Sequence, residues 1–127
     1  MSLTDAHVLN TFLTLQTQIK VYHWQTKVYS RHVASDKFFE KIVDLIDEFI
    51  EVYQGKTDRI KLTAETSKIQ LANLSDKDII DFLESIKVFL ITGLTKFLSP
   101  TTDTDLLNIR DEMLGNVNRL LYLFTLK

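Results

Sequence analysis

Neither glycine nor proline occurs before Gly55, and the only proline of this 127-residue chain is Pro100. With three glycines in all, little material is available for tight turns, while apolar residues recur at intervals of three and four. That combination predicts an all-α fold. A first helix should begin near Ser2 or Thr4 and bury Val8, Phe12, Leu15, Ile19 and Tyr22, with His23 at the edge of the stripe. A second should run from about Val33 to Tyr53, capped by Ser30 or Ser35, with Gly55 just beyond its end. Its apolar stripe is Phe38, Phe39, Ile42, Leu45, Ile46, Phe49 and Tyr53.

No breaker separates these two stretches, so their phase decides whether they form one helix. At ~100° per residue the two stripes lie roughly 140° apart, and one continuous helix could not bury both. A turn around Val28 to Arg31 is therefore expected. The pattern then lapses from Lys56 to Leu74, apart from a short helical stretch around Ala64 to Leu71. A structureless loop of that length is unusual in a compact domain, so a crossover is expected. A third helix should start at Ser75, with Asp78 completing a capping box, and bury Ile79, Phe82, Leu83, Ile86, Phe89, Leu90 and Phe97 until Ser99-Pro100 stops it. A fourth, from Thr102 or Thr104, turns Leu106, Leu107, Met113, Leu114, Val117, Leu121 and Phe124 inward. Two short connections and one long one imply two antiparallel hairpins joined by a crossover, a four-helix bundle forming a single domain over residues 1–127.

A net charge of −2 and a pI near 5.9 provide no global field for DNA or an anionic membrane. Arg59, Lys56 and Lys61 form the one basic cluster worth testing, so DNA binding is expected to be weak. The absence of cysteine excludes disulfides and thiolate chemistry. The first residues resemble no signal peptide, and no apolar run approaches the ~20 residues of a membrane span. A soluble, cytoplasmic protein is expected, or one of a host-cell or virion compartment if its source is viral.

Candidate ligands concentrate between His23 and Glu51. His32 and Asp36 stand four apart, as do Asp47 and Glu51, so each pair presents two ligands on one helical face. The midpoints of the pairs are about 22 Å apart along a helix, and a metal reaches only about 2 Å to each ligand. The pairs cannot join within one chain. Packed antiparallel against a copy of itself across a two-fold axis, however, the second helix would bring the His32/Asp36 end of one chain to the Asp47/Glu51 end of the other. Asp36 and Asp47 are close to three whole turns apart, which keeps both pairs on one edge.

His23-Trp24, His32-x-x-x-Asp36 and Asp47-x-x-x-Glu51 together resemble the ferroxidase signature of the Dps miniferritins, over about a quarter of the chain. The compact His-Trp-Gln-Thr form also resembles short Dps-like proteins of large DNA viruses. The interval from His23 to His32 is shorter than is usual in that family, and its Gly-containing turn is missing. The resemblance implies a ferritin-like bundle with its long crossover between the second and third helices. It also implies an Fe(II)-oxidising activity using peroxide or dioxygen, and iron ligation by His23, His32, Asp36, Asp47 and Glu51 with Trp24 beside the centre. Carboxylates and imidazoles without thiolates suit iron and would also accept manganese or zinc. The assembly implied is a homo-oligomer, a dimer at least and by resemblance a twelve-subunit shell, serving iron storage or oxidative protection.

Each of these assignments has a plainer rival. Acids four apart on a helix commonly form a solvated face, and Glu40, Asp44 and Glu48 would either line a cation path or keep the helix soluble. His23 alone is more often a hydrogen-bonded core histidine, Trp24 more often packing, and His7 a surface residue. The alternative function is a non-catalytic dimeric binding module that retains a remnant metal site.

Overall fold

The computed structural model describes residues 3–127. Helices α1 (Asp5–Gln25) and α2 (Tyr29–Lys56) are joined by three residues. After an irregular crossover, α3 (Asp78–Val88) runs through a π-helical turn (Phe89–Gly93) into the single turn α4 (Leu94–Phe97), and α5 (Thr104–Leu123) closes the chain. Among the described residues the fold is all-helical, with four long helical segments around one core.

Contacts between the segments fix their directions. Tyr53 near the end of α2 donates to Asp5 at the start of α1, while His23 and His32 meet at the opposite end, so α1 and α2 are antiparallel. Phe12 packs edge-on against both Phe49 and Phe89, with centroids 5.0 and 5.7 Å away, which ties the third segment to the first two. Lys56 bonds Asp105 at one end of the bundle and Arg31 reaches Phe124 at the other, so α5 runs antiparallel to α2. The predicted stripe of α1 is buried throughout, as are Phe38, Ile42, Leu45, Ile46 and Phe49 of α2. At ~25 cal/mol per Å² buried, such side chains dominate the stabilisation of a bundle this size.

The crossover returns alongside α1, and polar side chains of that helix hold it. Asn10 donates to the carbonyls of Thr66 and Lys68, and Gln18 exchanges two bonds with the backbone of Ala72. The expected short helix at Ala64–Leu71 is reduced to a turn over residues 64–67. There the Thr63 and Thr66 hydroxyls accept each other's backbone N–H groups. Hydroxyls spent in this way offer the backbone an alternative to helical bonding.

Thr4 caps α1, its hydroxyl accepting from the His7 N–H, whereas Ser2, the other candidate, lies outside the described residues. Ser75 accepts from the Asp78 N–H at the start of α3. Two expectations need correction. The α1–α2 turn is Thr26–Val28, not Val28–Arg31, and α2 spans Tyr29–Lys56 instead of Val33–Tyr53. Neither Ser30 nor Ser35 caps it; Ser35 is buried within the helix and donates to the His32 carbonyl. The third segment, expected to be a regular helix to Phe97, contains the π turn. A π turn inserts one residue into the helical phase, so Leu94 and Leu98 move fully into the core and Phe97 is left half-buried.

Candidate metal centre at the α1–α2 turn

His23, in the last turn of α1, and His32, in the first turn of α2, stack with ring centroids 3.9 Å apart and planes 16° from parallel. The Nδ1 of His23 lies 2.7 Å from the His32 carbonyl oxygen, and the Nδ1 of His32 lies 2.9 Å from that of His23. A carbonyl can only accept, so each Nδ1 carries a hydrogen and neither Nε2 takes part in these bonds. Orientation by a backbone carbonyl through the other ring nitrogen is what metal-binding histidines commonly have. The same bonds serve the fold, because His23 contributes one of the orphan carbonyls at the end of α1.

Asp36, one turn along α2, brings a carboxylate oxygen to 3.9 Å from the Nε2 of His23. Lys20 holds the same oxygen at 3.3 Å, its ammonium lying 4.7 Å from the centre of the Phe39 ring and 5.6 Å from that of Trp24. Lys20 is thus the resident cation of this carboxylate. His23 is 7% exposed and Trp24 68% exposed, so one imidazole is sheltered while the indole spreads over the surface.

Asp47 and Glu51 lie farther along α2, about 16 and 22 Å from Asp36 by helical rise. Both are exposed. The Glu51 carboxyl is held above its ordinary range, first by its hydrogen bond with Asp47, then by the negative charge of Asp47 and by desolvation. Two carboxylates crowded in this way favour either a shared proton or a cation. Half-buried Val43 and Ile50 lie on the same helix between and beside the two groups. No cluster of three or more His, Asp or Glu side chains placed to hold a metal ion occurs among the described residues of one chain. The structure therefore stacks His23 on His32, sets Asp36 near His23 and separately pairs Asp47 with Glu51, without gathering three ligands at one point or joining the two sets.

The model of a family of unknown function, DUF5856, matches residues 23–124. The chain belongs to that family. The DUF5856 match begins at His23 and contains all five candidate ligands. An uncharacterized 14.6 kDa protein from the mobD-ri intergenic region of Enterobacteria phage T4 is 39% identical over 51 residues, 40% of this chain and 40% of the phage protein. That match spans well under half of the phage protein. No solved structure matches this DUF5856 chain. Among its described residues, no helix is long and apolar enough to cross a membrane.

His7, expected on the surface, is half-exposed, with its Nδ1 bonded to the Thr4 hydroxyl and its Nε2 3.7 Å from Glu65. Lys56, part of the basic cluster singled out for DNA, is engaged by Asp103 and Asp105 at 3.5 and 2.9 Å. What sequence reasoning missed is a second basic group, Lys37, Lys41 and Arg119. Its members come from two helices, and only the lysine pair at positions i and i+4 was visible as a pattern.

Proposed function

We propose that this protein is a ferritin-like, Dps-type iron-binding protein that oxidises Fe(II) at sites shared by two chains. The observation that carries the reading is the reciprocal locking of His23 and His32 through their Nδ1 atoms, which keeps both Nε2 atoms out of those bonds and sets that of His23 3.9 Å from an Asp36 carboxylate oxygen. Further support comes from the antiparallel hairpins joined by a crossover, the arrangement of ferritin-like bundles. The Asp47/Glu51 pair adds to this, since its mutual repulsion would be relieved by a cation.

In this reading His23, His32 and Asp36 of one chain, with Asp47 and Glu51 of a partner packed antiparallel along α2, hold Fe(II). Half-buried Phe39, Val43 and Ile50 would be covered by the same contact. Two Fe(II) ions each give up one electron to peroxide, which takes up two protons and leaves as two waters. Manganese and zinc suit the same donors. A second reading, in which the histidine pair is a structural staple in a dimeric binding module, is favoured by the presence of Lys20 where a metal would have to displace it.

Anaerobic titration should give about two Fe(II) sites per dimer, and added peroxide should raise ferric absorbance faster than in protein-free buffer. Asp47→Ala and His32→Ala should each abolish this. Mixing the two variants with subunit exchange should restore activity, because one of the two sites in a mixed dimer keeps both halves. Full activity in either variant alone refutes the assignment. Loss without rescue, despite demonstrated exchange, places the chemistry within one chain.

A further inference from the structure

A cavity of about 150 Å³ opens between α2 and α5, on a different face of α2 from the candidate metal ligands. Ala34 and Phe38 of α2 with Leu120 of α5 form its buried floor. Lys37 and Lys41 line it from α2, and Asn116 and Arg119 line it from α5. Spacings of four on α2 and three on α5 put each pair on one side of its helix, so the cationic side chains of the two helices converge on one opening.

The three cations share a second property. Lys20, Lys56, Lys87 and Arg110 each pair with a carboxylate, and Arg31 is spent on carbonyls and a hydroxyl. Lys37, Lys41 and Arg119 enter no ion pair within 4.0 Å among the described residues, although Glu40 and Asp44 stand three residues from the two lysines along α2. Lys27, Arg59, Lys61, Lys68, Lys77, Lys96 and Lys127 are likewise without one, and what sets the three apart is that they line one hollow. Asn116 spends one amide hydrogen on the Glu112 carbonyl at 2.8 Å and keeps the other. In a chain of net charge −2, an apolar hollow with three uncommitted cations and a free amide donor at its rim is a local reversal of sign.

We infer that this cavity is a binding site for a phosphate monoester with a compact apolar substituent. Arg119 supplies a planar fork that matches two phosphate oxygens, and the lysines supply point charges for a dianion. The apolar floor takes the substituent. Size limits the ligand, because pockets that enclose drug-sized molecules hold roughly 300–1,000 Å³. The hollow encloses about a phosphate and one ring, and the base and sugar of a nucleotide would extend beyond it.

Phenyl phosphate, inorganic phosphate and benzoate are the probes, titrated into the full chain and followed by the amide resonances of Asn116 and the methyl resonances of Leu120 and Leu123. Phenyl phosphate should saturate and shift these signals, should bind at least about tenfold more tightly than either other probe, and should weaken as salt screens the charges. Lys41→Gln and Arg119→Gln, both at exposed positions, should each weaken it about fivefold or more while helical content is unchanged. Saturable binding with those losses supports the site. Absence of saturation in the wild-type protein overturns it, as does unchanged affinity in both folded variants. Benzoate binding as tightly as phenyl phosphate overturns the phosphate assignment, and inorganic phosphate binding as tightly removes the role of the apolar floor.

Discussion

Arg31 and His32 are neighbours in the first turn of α2, about 100° apart around its axis, and they enter polar clusters that end differently. Arg31 donates to the Tyr22 hydroxyl at 3.1 Å, to the Asp76 carbonyl at 2.7 Å and to the Phe124 carbonyl at 3.3 Å. Tyr22 and Thr26 in turn donate to one Asp76 carboxylate oxygen at 2.6 and 2.9 Å. That cluster ties α1, α2, the approach to α3 and the end of α5 together, with its donors spent inside the chain. The His32 cluster closes only on one side. Each Nδ1 is satisfied by backbone, while neither Nε2 enters a hydrogen bond among the described residues and the Asp36 carboxylate is shared with Lys20. One turn of helix thus contains a cluster tied into four parts of the chain and a histidine pair bonded only across the α1–α2 turn.

The sharpest way to break this contrast is to remove the closing member. Arg31→Ala deletes three hydrogen bonds and the stacking of the guanidinium on the Phe124 ring, whose centre is 4.6 Å away. It should cost about 2–3 kcal/mol, since the partly buried acceptors left behind are not all reached by water. Urea denaturation measures this. A loss below about 1 kcal/mol would mean that the cluster does not hold this end of the bundle.

His32→Asn tests the other half of the contrast. The asparagine amide offers a donor near the position of Nδ1 and nothing in place of Nε2. Stability should fall by less than about 1 kcal/mol, while Fe(II) binding is lost. If instead the variant unfolds as readily as Arg31→Ala, the histidine pair is a staple and the metal reading loses its main support. Lys20→Gln should act in the opposite direction on binding. Removing a unit charge a few ångströms from the metal position is worth roughly 1 kcal/mol in a solvated setting, so Fe(II) affinity should rise about fivefold, as read by the same anaerobic titration. Unchanged affinity would place the metal away from Asp36.

Much of this fold could be read in the sequence because it is set by local periodicity. Val8, Phe12, Leu15, Ile19 and Tyr22 are buried as their spacing requires, Thr4 caps where its side chain suggests, Ser75 accepts from the Asp78 N–H although α3 itself begins only at Asp78, and the third segment ends before Ser99-Pro100. The start of α2 could not be read there, because its position depends on distant partners. Arg31 finds Asp76, 45 residues away, and His32 finds the carbonyl of His23 across a three-residue turn. The π turn escaped for a similar reason: Arg110, 20 residues along the chain, donates to the Leu90 carbonyl inside it at 2.9 Å. At the candidate site, helical spacing paired His32 with Asp36 and Asp47 with Glu51. The stacking of His23 on His32 depends on the turn length, and the position of Lys20 against Asp36 on the packing of two helices. Neither is encoded in a four-residue interval.

The smallest effect expected separates the two regions by the sign of their pH dependence. Asp76 is held below the ordinary carboxylate value of 3.8, chiefly by the Tyr22 hydroxyl bond, with help from Thr26 and the Arg31 charge that outweighs its partial burial. Its contribution to stability is present above that ordinary value and is lost as pH falls through the lower folded value. Glu51 is held above its ordinary 4.5 by Asp47. Its contribution is present below that ordinary value and is lost as pH rises through the higher folded value, leaving repulsion at neutral pH. Melting temperatures of the metal-free protein between about pH 2.5 and 7 should therefore diverge in opposite senses. Asp76→Asn should be less stable than wild type at neutral pH and converge with it in acid. Glu51→Gln should be slightly more stable than wild type at neutral pH and converge with it near pH 4, and added divalent cation should stabilise the wild type while leaving Glu51→Gln nearly unchanged. A Glu51→Gln protein that gains nothing at neutral pH would show that the two carboxylates do not crowd each other, and the electrostatic reason for a cation at that end of α2 would disappear.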